Sequence, residues 1–285
     1  MLIFLRLSLI LVISLNIASC SSMISSATNK MATNLATAIN NNDDLATVKA
    51  GAPAYLLMLD SFVEGDPSDS KMQIAAAKLY SAYAGVFVKD EQRAKRLTQK
   101  ALDFAFRANC LTYSDACDLK KMKFPSFKKL IERFEKDQIE LLYTLGTSWA
   151  GWIQNRSGDW NATAELARVT TIMNHVVKLD EKYESGQAQL YLGVLNTLLP
   201  PALGGKPEIG KKHFEKAIQF SQNKNLMAKV LYAEKYARLV FDQALHDKLL
   251  KQVLDTEPRI PRFTLVNMLA HEQAKSLLES GKEYF

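Results

Sequence analysis

The chain has 285 residues, 48% hydrophobic and 23% charged, enough for one large or two ordinary domains with a real core. Twelve Gly and eight Pro are too few for a disordered or collagen-like chain. The net charge of +6 is spread along the chain among interleaved acids, so no nucleic acid is expected as a partner, and no run of 18 apolar residues follows position 19.

The first predicted element is a leader over 1–19. Arg6 is its one charge, an apolar run follows from Leu7 to Ile17, and the segment closes on Ile17-Ala18-Ser19-Cys20. This resembles a bacterial lipobox, in which the Cys thiol receives diacylglycerol and the chain is cut before it. Cys20 is thus the expected lipidation site, with acyl chains such as palmitate holding the protein on a membrane surface. Ser21 and Ser22 follow, with no Asp after the Cys. By resemblance to known sorting signals this points to the periplasmic face of the outer membrane rather than the inner one. The competing reading is an ordinary cleaved signal with an incidental Cys.

Residues 20–45 are rich in Ser, Asn, Thr and Ala and contain Asn40-Asn41-Asn42-Asp43-Asp44, which reads as a lipidated tether with a weak first helix. Residues 46–285 read as one helical domain. Leu97, Ala101, Leu102, Ala105 and Ala108 share a helical face, and so do Phe214, Ala217 and Ile218, while no period-2 strand is found. All eight prolines, Pro53 included, are expected at breaks between helices. Cys110 and Cys117 flank a polar stretch that reads as an inter-helix connection, and secretion favours a local disulfide between them. Two free thiols are the alternative, and no nearby His completes a zinc site.

Leu145-Gly146-Thr147-Ser148-Trp149 matches the Leu-Gly-x-x-aromatic core of a tetratricopeptide helix A, and Leu192-Gly193 repeats its first pair. Gly210, Phe214 and Ala217 have helix B spacing, and Leu250 and Val253 lead into Pro258 in the same way. The small residue lets the paired helix approach closely and the aromatic fills the space beside it. Asn196 and Tyr80 depart from the pattern. The expected fold is all-α, with degenerate tetratricopeptide-like hairpins forming an α-solenoid. Trp149 is expected in hairpin packing, with Trp152 and Trp160 beyond it. Tyr143, Thr147 and Ala150, with Leu190, Val194 and Thr197, are the expected lining of a groove on the inner faces of two successive A helices.

Two stretches imitate catalytic motifs. Gly205 to Lys212 nearly satisfies a phosphate-binding loop, but Lys212 stands where a hydroxyl must hold magnesium and Pro207 removes an amide. His271-Glu272 begins a zinc-protease motif that Lys275 breaks, and His175, His213 and His246 are scattered. No catalytic residue, cofactor or metal is expected, and the chain reads as a binding protein rather than an enzyme.

At Gln189 to Leu195, Leu199-Pro200-Pro201-Ala202-Leu203-Gly204-Gly205 and Gly210 to Ile218, with Leu79-Tyr80 to Tyr83 and the Leu145-Gly146 segment, the chain resembles the TRAP transporter T-component family of TatT-like periplasmic lipoproteins. The resemblance implies cryptic tetratricopeptide hairpins, a protomer that can form a homotrimer, and an apolar channel. It also implies action beside a DctP-like solute-binding protein. A general lipoprotein scaffold for envelope assembly is the other expectation.

Overall fold

A computed structural model describes residues 30–285, so the leader, Cys20 and the tether up to residue 29 lie outside the described residues. By its internal contacts the chain divides into a unit ending at Ile39 and a compact unit from Asn40 to Phe285. The first contributes a helix over 30–40, α1. All other regular structure among the described residues is also helical, as the missing period-2 pattern predicts.

Helix α2 (Leu45–Gly65) begins where Asp44 accepts hydrogen bonds from the Ala46 and Thr47 amides, and Asp69 and Asp90 cap α3 (Ser70–Phe87) and α4 (Glu91–Thr112) in the same way. Pro53 corrects one expectation. It lies inside α2 rather than at a break, and its lack of an N–H leaves the carbonyl four residues earlier without the usual helical partner. After α5 (Phe124–Ile131) come α6 (Ile139–Gln154), a short α7 (Trp160–Ala164) and α8 (Leu166–Leu179). Next are α9 (Tyr183–Asn196), α10 (Pro207–Phe220) and α11 (Leu226–Leu231), which runs into a π-helical turn at Tyr232–Ala237. Finally α12 (Gln243–Leu254) precedes α13 (Thr264–Tyr284).

In the compact unit α2 packs on α3, α3 on α4 and α6 on both, then α8, α9, α10 and α11 follow in turn, with α12 and α13 beyond; α5 packs on α8, and α13 returns to touch α2. Polar groups reinforce that closure. The Arg262 amide donates to Asn41 Oδ1 at 2.6 Å, Arg259 Nε meets Asp43 Oδ2 at 2.7 Å, and Arg262 also reaches Glu184. These exposed pairs set direction more than stability.

Two glycines fix how the hairpins close. A β-carbon on Gly146 would stand 2.7 Å from Met173 Cε and 2.8 Å from Ile172 Cγ2 of α8, and one on Gly193 would stand 2.8 Å from the Phe214 ring of α10. Phe214 is wholly buried at the edge of a core built with Leu226, Val230, Leu250, Val253 and Ala270. Trp149 is equally inaccessible, edge-on to Phe106 at 5.0 Å and to Phe127 at 6.0 Å. Its neighbour Trp152 donates from Nε1 to Gln99 Oε1 at 2.7 Å under the Arg156 guanidinium, whereas Trp160 stands 87% exposed.

Cys110 lies in the last turn of α4 and Cys117 in a 3-10 turn, Ser114–Asp118, so the segment between them is only partly a connection. The two sulfurs are bonded across a Cα separation of 4.3 Å.

Two outcomes follow from this packing. Gly193→Ala should destabilise the chain by about 1–3 kcal/mol, because Phe214 has nowhere to move, while Gly151→Ala, with open space around it, should be neutral or stabilising; urea titration followed by circular dichroism compares them. Reducing the short Cys110–Cys117 loop should cost about 2 kcal/mol and lower Tm by about 5 °C, read by calorimetry with and without reductant beside mass spectrometry of unreduced peptides.

Candidate functional site

Burial separates the candidate positions. On α6 Tyr143, Thr147 and Ala150 are half-buried, and on α9 so are Tyr191 and Val194, whereas Leu190 and Thr197 are buried. Both buried residues are corrected as groove residues: they are turned toward α10, where a β-carbon on Gly210 would stand 2.6 Å from Thr197 Cγ2. Leu190 is 6% exposed and belongs to the Phe214 core, and Thr197 returns its hydroxyl to the Gly193 carbonyl at 2.9 Å. Val194 packs partly against the same core. Thr147 likewise spends its hydroxyl within its helix, on the Thr144 carbonyl at 3.1 Å.

Tyr191 and Tyr183 are the residues that sequence spacing did not nominate. The Tyr143 ring stands edge-on to both, with centroids 5.4 Å from Tyr183 and 6.2 Å from Tyr191. Such edge-to-face pairs are favourable beyond the area they bury. Among the described residues no protein group bonds any of the three hydroxyls. Burial pushes the Tyr143 hydroxyl well above the ordinary tyrosine range, helped by Tyr191, Glu184 and Tyr183, and burial alone pushes Tyr191 up to about 12. Tyr183 is raised by burial and by the charges of Glu140 and Glu184. All three tyrosines are half-buried, and their hydroxyls can donate to or accept from another molecule without first leaving a protein partner.

Left-handed backbone makes this arrangement. Glu184, Ser185 and Gly186 have φ of 47°, 60° and 82°, which breaks the start of α9 and turns Tyr183 back toward α6. Gly186 then sits against Phe220, whose Cβ would be 3.0 Å from an added β-carbon.

The imitations of catalytic motifs are structural. Pro207 is the first residue of α10, and Lys211 lies over the Tyr236 ring with its ammonium 5.8 Å from the centroid. His271 bonds the Thr256 carbonyl at 3.0 Å, and His175, which borders a shallow cleft of about 320 Å³ with Phe124 and Ile131, bonds the Phe134 carbonyl at 2.9 Å. Burial lowers the pKa of His213, whose Nδ1 is 2.6 Å from Gln189 Oε1. A second cleft, about 340 Å³, is lined by Lys95, Arg96, Gln99, Lys100 and Arg156; the Arg156 guanidinium is engaged by the Lys95 and Trp152 carbonyls and by the Thr98 hydroxyl. Among the described residues no group of three or more His, Cys, Asp or Glu could hold a metal, and no helix is long and apolar enough to cross a membrane.

No curated protein matches the chain significantly. The sequence model of the TRAP transporter T-component matches residues 41–285, the whole compact unit but for its first residue, and the chain therefore belongs to that family of transport-system components.

Proposed function

We propose that the chain is a periplasmic, lipid-anchored accessory of a TRAP-type transport system that docks a DctP-like solute-binding protein and offers the tyrosine-lined face to an apolar ligand. Family membership supports the transport role. The observation that supports the ligand part is the group of three neighbouring tyrosine rings whose hydroxyls have no protein partner, with Val194 and Ala150 half-buried on the same two helices. Neutral hydroxyls beside apolar side chains suit a guest that is mostly hydrocarbon with one polar end. On this reading the paired helices are tetratricopeptide-like hairpins, the protomer forms a homotrimer with a channel through each copy, and the chain carries out no chemistry. Cys20 anchors it by acyl chains to the periplasmic face of the outer membrane, and an oxidising compartment keeps the Cys110–Cys117 bond.

Two measurements test the reading. Radiolabelled palmitate should label the wild-type chain and not Cys20→Ala, whose mature form should leave the membrane fraction or persist as a precursor; equal labelling of both would remove the anchor. Val194→Asp, with circular dichroism confirming an intact fold because Val194 also packs partly against the Phe214 core, should abolish copurification of apolar ligands seen by native mass spectrometry, whereas Lys216→Ala on the exposed side of α10 should not. Leu190→Asp is unsuitable for this purpose because it should unfold the hairpin core. Ligand retention by Val194→Asp would contradict the proposed face.

A further inference from the structure

The charge of the chain is less evenly spread than its interleaved acids suggest. Between Leu119 and Ile131 stand five lysines, Lys120, Lys121, Lys123, Lys128 and Lys129, with no Asp, Glu or Arg among them. Asp118 and Glu132 bound the stretch, and five lysines less these two carboxylates leave it at +3. The next charges outward, Asp115 and Arg133, neutralise each other at 2.6 Å. Lys178 of α8 adds a further ammonium, on the cleft it lines with Phe124 and Lys128. All of these lysines are exposed, and Phe124 stands 42% exposed in their midst.

Local packing turns these groups outward. Leu119, Phe127, Leu130 and Ile131 are buried, and α5 rests on α8 through the last three. Phe124 with Lys128, and Pro125 with Lys129, each one turn apart, take the remaining side of the helix. Arg168 of α8 fixes the turn before α5: it donates to the Leu119 carbonyl at 3.3 Å and the Met122 carbonyl at 2.6 Å, with its guanidinium 4.8 Å from the centre of the Phe127 ring. Side chains presented on a backbone held in this way bind at a smaller ordering cost than those of a floppy loop. Lys121, Lys123 and Lys129 have no ion-pair partner among the described residues, and Lys128 comes no closer than 4.0 Å to Glu132. Lys120 alone is occupied, with its ammonium over the Trp152 ring.

Charge and composition together select the occupant. Protein interfaces are depleted in lysine and meet carboxylates with the planar fork of arginine. An anionic bilayer asks for less geometry, since each ammonium near its surface adds attraction as a point charge. Lysines without a single arginine follow the second pattern. An exposed aromatic ring among them follows it too, because such a ring enters the boundary between headgroups and acyl chains while the ammoniums stay at the phosphates.

We propose that α5 and the turn before it dock on an anionic phospholipid bilayer, with Phe124 in the headgroup layer and Lys121, Lys123, Lys128 and Lys129 facing lipid phosphates. This contact is separate from the acyl anchor and from the protein docking argued above, and depends on neither. The test uses the chain from Ser21 onward, which holds every described residue and no acyl group, in sedimentation with vesicles of phosphatidylcholine alone or mixed with phosphatidylglycerol. The chain should bind the mixed vesicles and not phosphatidylcholine alone, and should be released as salt rises. Lys121→Glu with Lys129→Glu should weaken binding about tenfold or more. Lys251→Glu with Lys275→Glu, the same change of net charge on exposed lysines of α12 and α13, should not. Phe124→Ser should lower the affinity and leave its salt dependence unchanged. Circular dichroism of all variants should match the wild type, because every altered side chain is exposed. Failure of the wild type to bind the mixed vesicles would overturn the proposal, and so would an equal loss in both double variants, which would reduce the effect to net charge. Loss of binding to a purified DctP-like protein in Lys121→Glu with Lys129→Glu, with vesicle binding unmoved, would overturn the bilayer in favour of a protein.

Discussion

At Gly146 and Gly193 the backbone of one helix comes so close to the side chains of the next that a β-carbon would stand 2.7 Å or 2.8 Å from them. Much follows from that approach. It commits part of α6 to Ile172 and Met173 and part of α9 to Phe214. Leu190 is buried with Phe214 on α9, and Trp149 is buried on α6. A few residues of each helix keep accessible surface, and their chemistry decides what the two helices offer.

Three of those residues are tyrosines, Tyr143, Tyr183 and Tyr191, and their electrical neutrality matters. A tyrosine whose hydroxyl is pushed up by burial stays protonated throughout the physiological range, so the cluster offers donors and acceptors without a fixed charge. The nearest carboxylates are engaged elsewhere: Glu140 pairs with Lys78 at 2.5 Å, and Glu184 with Arg262 at 3.4 Å. The face is therefore neutral at its middle, with charges tied up at its border.

Much of the architecture was legible from spacing. The absence of alternating strands, the Leu-Gly pairs and the Gly210, Phe214, Ala217 series all correspond to helices in the places expected, because a close helix pair needs a small residue and leaves that mark in the chain. The candidate face was legible in part. Tyr143, Thr147, Ala150 and Val194 keep accessible surface, whereas Leu190 and Thr197 are buried. Spacing alone does not separate them, because Tyr143 and Ala150 stand at the same offsets from Gly146 as Leu190 and Thr197 do from Gly193; the packing of Phe214 and Gly210 does. Pro53 went the other way. A rule about helix interiors was applied without the length of α2, which runs for 21 residues through its proline. Tyr183 was beyond the reach of periodicity altogether, since it precedes three left-handed residues that no helical pattern encodes.

Those three residues connect backbone strain to the site. Non-glycine residues in the left-handed region cost roughly 1 kcal/mol each, and Glu184 and Ser185 both adopt it at one end of α9. In an uninterrupted helix Tyr183 and Tyr191, eight residues apart, would be separated by about 12 Å of rise and about 80° of rotation, leaving a single Tyr143 ring at the limit of reaching both. With the turn at Glu184 to Gly186, Tyr143 stands edge-on to each ring. Packing holds that turn: Gly186 lies against Phe220 of α10, while the exposed Glu184–Arg262 pair adds direction more than stability. The strain is thus offset by the close approach of α9 to α10, and what it gains locally is the meeting of three tyrosine rings.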